Sequence, residues 1–177
     1  MKFCATRDVM VSNDDGVKGL LAQAYEALHN QEINSAITLL EEALSVDFEH
    51  KEVLSALKLA NFWRDRFAAL ETIADSYESG EFLLDQWSQF LPFVSRIGYI
   101  PEQCMYAIRY CVFGSALSYY EPLFEHSGNK DPELGQRIGR CYKGQGNYEK
   151  AVETYEIAIQ YKRDDPQILA ELADAYA

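Results

Sequence analysis

Apolar side chains recur every three or four positions along most of this chain, the period of helices that turn one face inward. Leu20, Ala24 and Leu28 form one such stripe, and Ala36, Leu40 and Ala43 form the next. Together they predict helices over about 17–29 and 33–46. Further on, Val53, Leu57, Ala60 and Trp63 or Arg64 keep the same period, as do Phe67, Leu70, Ile73, Ala74 and Tyr77, with Ser79-Gly80 as their stop. Residues 81–97 carry Phe82, Leu83, Trp87, Phe90 and Leu91 ahead of Pro92, whose missing amide predicts a kink or an end near Leu91. Pro101 suits the first turn of another helix, with Cys104, Ile108 and Cys111 or Val112 as its buried stripe. Beyond it two arrangements are open: a hairpin turn at Gly114-Ser115, or one long helix kinked before Pro122. In the hairpin register Ala116, Tyr120 and Leu123 stand where Ala151, Tyr155 and Ala158 stand downstream. At the start, residues 1–16 read as a tail ending in a turn-forming cluster, Ser12-Asn13-Asp14-Asp15-Gly16, that can cap a helix.

The pattern also repeats on a longer scale. Thirty-four residues separate Pro132-Glu133-Leu134 from Pro166-Gln167-Ile168, and Ile138, Gly139 and Tyr142 find counterparts in Leu172, Ala173 and Tyr176. Between them lie Gly146-Asn147-Tyr148 and then Ala151, Tyr155 and Ala158, the small and aromatic positions of a helix-turn-helix unit. This resembles the tetratricopeptide repeat, whose period is 34. The resemblance implies an all-α, right-handed solenoid of antiparallel helix pairs, irregular in the middle, because a two-helix unit cannot bury its apolar face alone. Its layout would be a tail at 1–16, a looser unit at 17–50, degenerate helical units at 51–97 and 98–131, a clear repeat at 132–165, and the first helix of another at 166–177. In the looser unit Asn30-Gln31-Glu32 replaces the usual glycine turn. Ile168, Leu169, Leu172 and Tyr176 of the last helix expect a partner on both sides, which implies a longer parent protein, a covering partner, or a homo-oligomer through this open half repeat.

Charge narrows the partners. With 16 basic and 28 acidic side chains the net charge is -12, which repels nucleic acid and anionic membrane. The excess lies mostly before residue 130, and no apolar stretch approaches a membrane span. The four cysteines, at 4, 104, 111 and 141, form no disulfide framework in a chain this long, and Cys104 and Cys111 read as small core residues in a reducing compartment. Cytoplasmic residence is the default expectation, with a periplasmic or membrane-anchored parent left open.

No reaction centre is legible. The three histidines are scattered, no Cys-x-x-Cys or His-Glu-x-x-His spacing gathers metal ligands, and no phosphate loop follows Gly144-Gln145-Gly146, which fits an interhelix turn. An EF-hand loop with Gly16 in its sixth place would need a glutamate where Ala22 stands. The expectation is therefore neither an enzyme nor a cofactor protein but a scaffold or adaptor that binds a protein segment within a larger assembly. Its rival is a self-associating structural element, and an enzyme or small-molecule binder would need a pocket among the aromatic residues 87–110 on which polar groups converge.

In the family that this chain resembles, the first helix of each repeat lines the concave face. Carried over residue by residue, the clear repeat contributes Glu133, Gln136, Arg140, Lys143 and Gly144. Arg140 and Lys143 share a helical face, suited to an acidic or C-terminal partner segment or to acids of their own chain. Gln136 and Arg140 stand where a chaperone-capturing subclass carries asparagine and lysine, which removes that specificity. The first unit contributes Lys18, Leu21, Tyr25, Leu28 and His29, a more apolar set suited to an amphipathic helix or to packing within the chain. Of 23 aromatic residues, 15 fall between Phe62 and Phe124, where core packing is expected for most and interface anchoring for some.

Overall fold

The computed structural model describes residues 5–177, with side chains from Asp14 onward. Eight helices and no strand occur among the described residues: α1 (Ala5–His29), α2 (Ile33–Val46), α3 (Lys51–Leu70), α4 (Ser76–Val94), α5 (Glu102–His126), α6 (Pro132–Gly144), α7 (Tyr148–Tyr161) and α8 (Pro166–Tyr176). The fold is all-α, as expected of a helical-repeat protein. Two compact units divide the described residues: those up to Ala68 with Gln89–Cys111, and Ala69–Ser88 with Val112–Ala177. The dividing points fall within α4 and α5 and at the end of α3.

Several expected boundaries move, each for a local reason. From Ala5 onward the expected tail and turn give way to helix, since α1 runs through Asp14-Asp15-Gly16, while residues 1–4 of that tail lie outside the described residues. Asp14 spends its carboxylate on Lys18 one turn on, an acid-before-base pair that supports helix rather than capping it. Ser79-Gly80 does not stop a helix. The break comes earlier, at 71–75, where Asp75 accepts the Glu78 amide at 2.9 Å and begins α4. Pro92 lies inside α4, which continues to Val94, because a proline so near a helix end forfeits little. Gly114-Ser115 makes no hairpin, and the single long helix α5 carries Pro122 within it.

In the first unit α1 and α2 form an antiparallel pair around Ala24, Leu28, Ala36, Leu40 and Ala43, all fully buried. Their alanines let the two backbones approach. Gln31 turns the chain in the left-handed region (φ 66°), and the Glu32 amide closes the turn on the Ala27 carbonyl at 2.8 Å. Trp63 and Phe90 are fully buried, their ring centroids 5.3 Å apart, and Phe62 packs on Phe90 and Phe93 at 5.0 and 4.8 Å. Much of the aromatic middle is therefore core.

The second unit contains the same turn. After α6, Gly146 takes the left-handed conformation (φ 82°) and the Asn147 amide closes on the Tyr142 carbonyl at 2.9 Å. Asp131 and Asp165, 34 positions apart, cap α6 and α8 identically, each accepting the amides two and three residues on. Gly139 lies flat against the Tyr155 ring, and Gly80 lies the same way against Tyr120, so no Cβ fits at either glycine. Tyr120 thus finds its small partner in α4, whereas the sequence register places its partner helix at the start of α5.

Candidate protein-interaction surface

The caps at Asp131 and Asp165 set α6 and α8 in the same phase and bring their polar faces together. Gln136, Arg140 and Lys143 of α6 face Glu171 and Asp174 of α8. One Glu171 oxygen, Oε1, accepts from Gln136 Nε2 at 3.0 Å and from Arg140 Nε at 2.6 Å, while Oε2 accepts from the Tyr155 hydroxyl at 2.8 Å. Lys143 Nζ reaches Asp174 at 2.7 Å. The spacing explains the match: cations three apart on α6 meet acids three apart on α8. The hydrogen bond to Glu171 raises the Arg140 guanidinium above its ordinary pKa against the opposing cost of burial, and Lys143 holds the Asp174 carboxyl below its own. The three expected groove residues are thus gathered on one face, and all three are engaged by acids of their own chain.

The first-unit set is placed differently. Lys18 is exposed and paired with Asp14. Leu21, Tyr25 and Leu28 are buried, with 4%, 7% and 0% of their surface exposed, so they line no open groove. Tyr25 donates to Glu52 at 2.8 Å and lies near Cys104, and His29 stacks on Tyr110 at 3.8 Å. Residues 102–111 of α5, with Cys104, Ala107, Ile108 and Cys111 buried, thus lie against Tyr25 and His29 of this set.

A second carboxylate node has no precedent in the sequence reading. Glu81 accepts from the Tyr120 hydroxyl at 2.6 Å and from Arg137 Nε at 2.8 Å. Burial pushes its carboxyl up, but hydrogen bonds from Arg137 and Tyr120 and the charge of Arg137 outweigh burial and leave it below its ordinary 4.5. Glu81 and Glu171 thus perform the same task, each holding a buried tyrosine hydroxyl and an arginine from a neighbouring helix. No sequence spacing announces it, since about 16 residues separate Gly139 from Tyr155 and about 40 separate Gly80 from Tyr120.

Burial raises the Cys111 thiol to about 12 and those of Cys104 and Cys141 further, so these three are core side chains rather than nucleophiles. No group of three or more metal-ligating side chains occurs among the described residues, and no helix among them is long and apolar enough to cross a membrane.

Residues 139–177 match the family model of the TPR repeat, so the resemblance to the tetratricopeptide family holds over the part that carries Arg140, Lys143, Tyr155 and Glu171. A further 33% identity over 64 residues links the chain to the transcription factor tau 131 kDa subunit of Saccharomyces cerevisiae. That alignment takes in 36% of this chain and 6% of the yeast protein. A TPR repeat supports a role in binding other proteins.

Proposed function

We propose that this chain is a protein-binding scaffold within a multi-subunit assembly, acting by recognition rather than catalysis, and that its partner docks on the α6–α8 face around Arg140, Lys143 and Asp174, with Gln136 buried beneath them. The carrying observation is the family match over 139–177, which coincides with a face where cations and acids lie at the surface in fixed geometry. That the yeast relative is named as a subunit supports the assembly context. Helices α6 and α7 form one repeat at 132–165, α8 opens the next, and α1 with α2 is a looser copy. Helix α4 with residues 112–126 of α5 is a further copy, supported by the recurring glycine-tyrosine contact. A reducing compartment such as the cytoplasm suits the free, buried thiols.

Reversing Arg140 and Lys143 together would set four carboxylates against one another and detach α8, so it cannot separate binding from folding. An exchange of partners does: Lys143→Glu with Asp174→Lys keeps the ion pair and inverts its direction. The full-length parent protein carrying this exchange should lose a partner captured by the wild type while its thermal unfolding stays the same. A partner kept at equal yield would remove this pair from the binding site.

A second reading, self-association, is favoured by Leu169 and Tyr176 of α8, 45% and 63% exposed. Sedimentation across concentrations decides it. A dimer weakened by Leu169→Lys supports the reading, and a monomer at every concentration overturns it.

A further inference from the structure

The first unit carries a cluster of stacked rings where α1 meets α5. His29 ends α1, and Tyr106 and Tyr110 lie one turn apart on α5. Their centroids form a triangle: His29 to Tyr110 at 3.8 Å, His29 to Tyr106 at 6.3 Å, and Tyr106 to Tyr110 at 6.4 Å, with interplanar angles of 13°, 26° and 36°. Tyr106 remains 50% exposed, whereas its neighbours Ala107 and Ile108 are buried. Rings held by stacking lose little freedom on binding, which is why tyrosines of this kind anchor interfaces.

Charge selects the occupant. Glu26 lies three positions before His29 and Glu102 four before Tyr106, one turn away on the same helical faces, and both are exposed and have no ion-pair partner among the described residues. The faces of aromatic rings attract cations, and two carboxylates at the rim add to that attraction. Arginine fits better than lysine, since a planar guanidinium both stacks and donates in a fork. The unit already uses this chemistry internally: Arg109 lies 5.9 Å from the Tyr106 ring centre, and Arg66 lies 3.5 Å above Phe62. We propose that the His29, Tyr106 and Tyr110 rings, rimmed by Glu26 and Glu102, form a docking surface for an arginine-bearing segment of a partner protein. This deepens the scaffold reading and uses a surface separate from the α6–α8 face.

The test uses a blocked peptide carrying two arginines between glycines, and its glutamine counterpart, titrated into the chain with tyrosine and histidine ring signals followed by NMR. The arginine peptide should shift Tyr106, Tyr110 and His29 saturably, and the glutamine peptide should not. Tyr106→Ala should weaken binding at least fivefold, Glu102→Gln about twofold to threefold, and Tyr106→Phe little, since it keeps the ring. Tyr106→Phe also guards against a folding artefact in the alanine variant. Equal shifts from both peptides, or unchanged affinity in Tyr106→Ala, would overturn the proposal, as would concentration-dependent ring shifts without peptide, which would mark a contact between copies. Arginine peptides that fail while capture through the Lys143–Asp174 pair succeeds would sink this surface alone.

Discussion

Removing the Glu171 carboxylate should loosen α8 far more than its single side chain suggests. Glu171→Ala takes the acceptor from three donors at once: Gln136, Arg140 and Tyr155. Tyr155 is fully buried, so its hydroxyl is stranded at a cost of about 1–3 kcal/mol. Gln136 is 5% exposed and loses a further bond worth about 0.5–1.5 kcal/mol. Arg140 has a third of its side chain in water and recovers most of its loss by hydration, leaving about 0.5 kcal/mol. The terms overlap, because one water entering the gap serves two donors, so a net of about 2 kcal/mol is expected. That raises the opening constant of α8 about thirtyfold. Hydrogen exchange reads it directly: α8 amides should exchange about thirtyfold faster while those of α2 stay unchanged. Glu171→Gln keeps one acceptor and should show a smaller effect, about tenfold. If α8 exchange in Glu171→Ala stays within about twofold of wild type, the node does not hold the helix and this reasoning fails.

Three further outcomes follow from the same geometry. Gly139→Ala and Gly80→Ala force a methyl into the Tyr155 and Tyr120 rings and should each cost roughly 1–2 kcal/mol in urea unfolding after the helix-propensity gain is deducted, whereas Gly19→Ala, with open space around it, should gain about 0.5–1 kcal/mol. Gln31→Gly relieves a left-handed residue at φ 66° and should stabilise the chain by about 0.5–1 kcal/mol; a loss would show that the glutamine side chain contributes more than its backbone costs. Because the folded Glu81 carboxyl sits below its ordinary 4.5, its contribution is present above that pH and is lost as pH falls through the lower folded value, so the melting temperature should drop on acidification, and less steeply in Glu81→Gln.

The repeat was legible in the sequence where side chains meet backbone rules. Asp131-Pro132 and Asp165-Pro166 announce two helix starts, and Gly146 announces a left-handed turn, because few residues serve either task. Gln31 shows the weakness of that signal, since tertiary packing imposes the same turn on a residue that does not advertise it. The middle was misread for a related reason. Glycine at 80 was taken as a helix stop and glycine at 114 left open between a turn and a continuous helix, yet Gly80 stands inside α4 to admit the Tyr120 ring, and Gly114 stands inside α5. A glycine chosen for close approach and one chosen for a turn look alike until the partner ring is found.

The candidate site was harder to read, because a cation's role depends on what faces it across 31 residues of chain. Arg140 and Lys143 suggested a clamp for an acidic partner, but Glu171 and Asp174 already fill that clamp. An acidic segment docking here would have to displace these carboxylates, and each exchange trades one charge-assisted hydrogen bond for another of similar strength. Net affinity would then come from shape and from carboxylates not yet satisfied, rather than from the cations themselves. The exposed half of the face is Asp174, with 69% of its side chain in water, so a donor from the partner can join the Lys143–Asp174 pair without breaking it. A partner that contributes a lysine, arginine or amide at this point keeps every existing bond, and such a partner should lose binding with Asp174→Asn while one that contributes an acid should gain it.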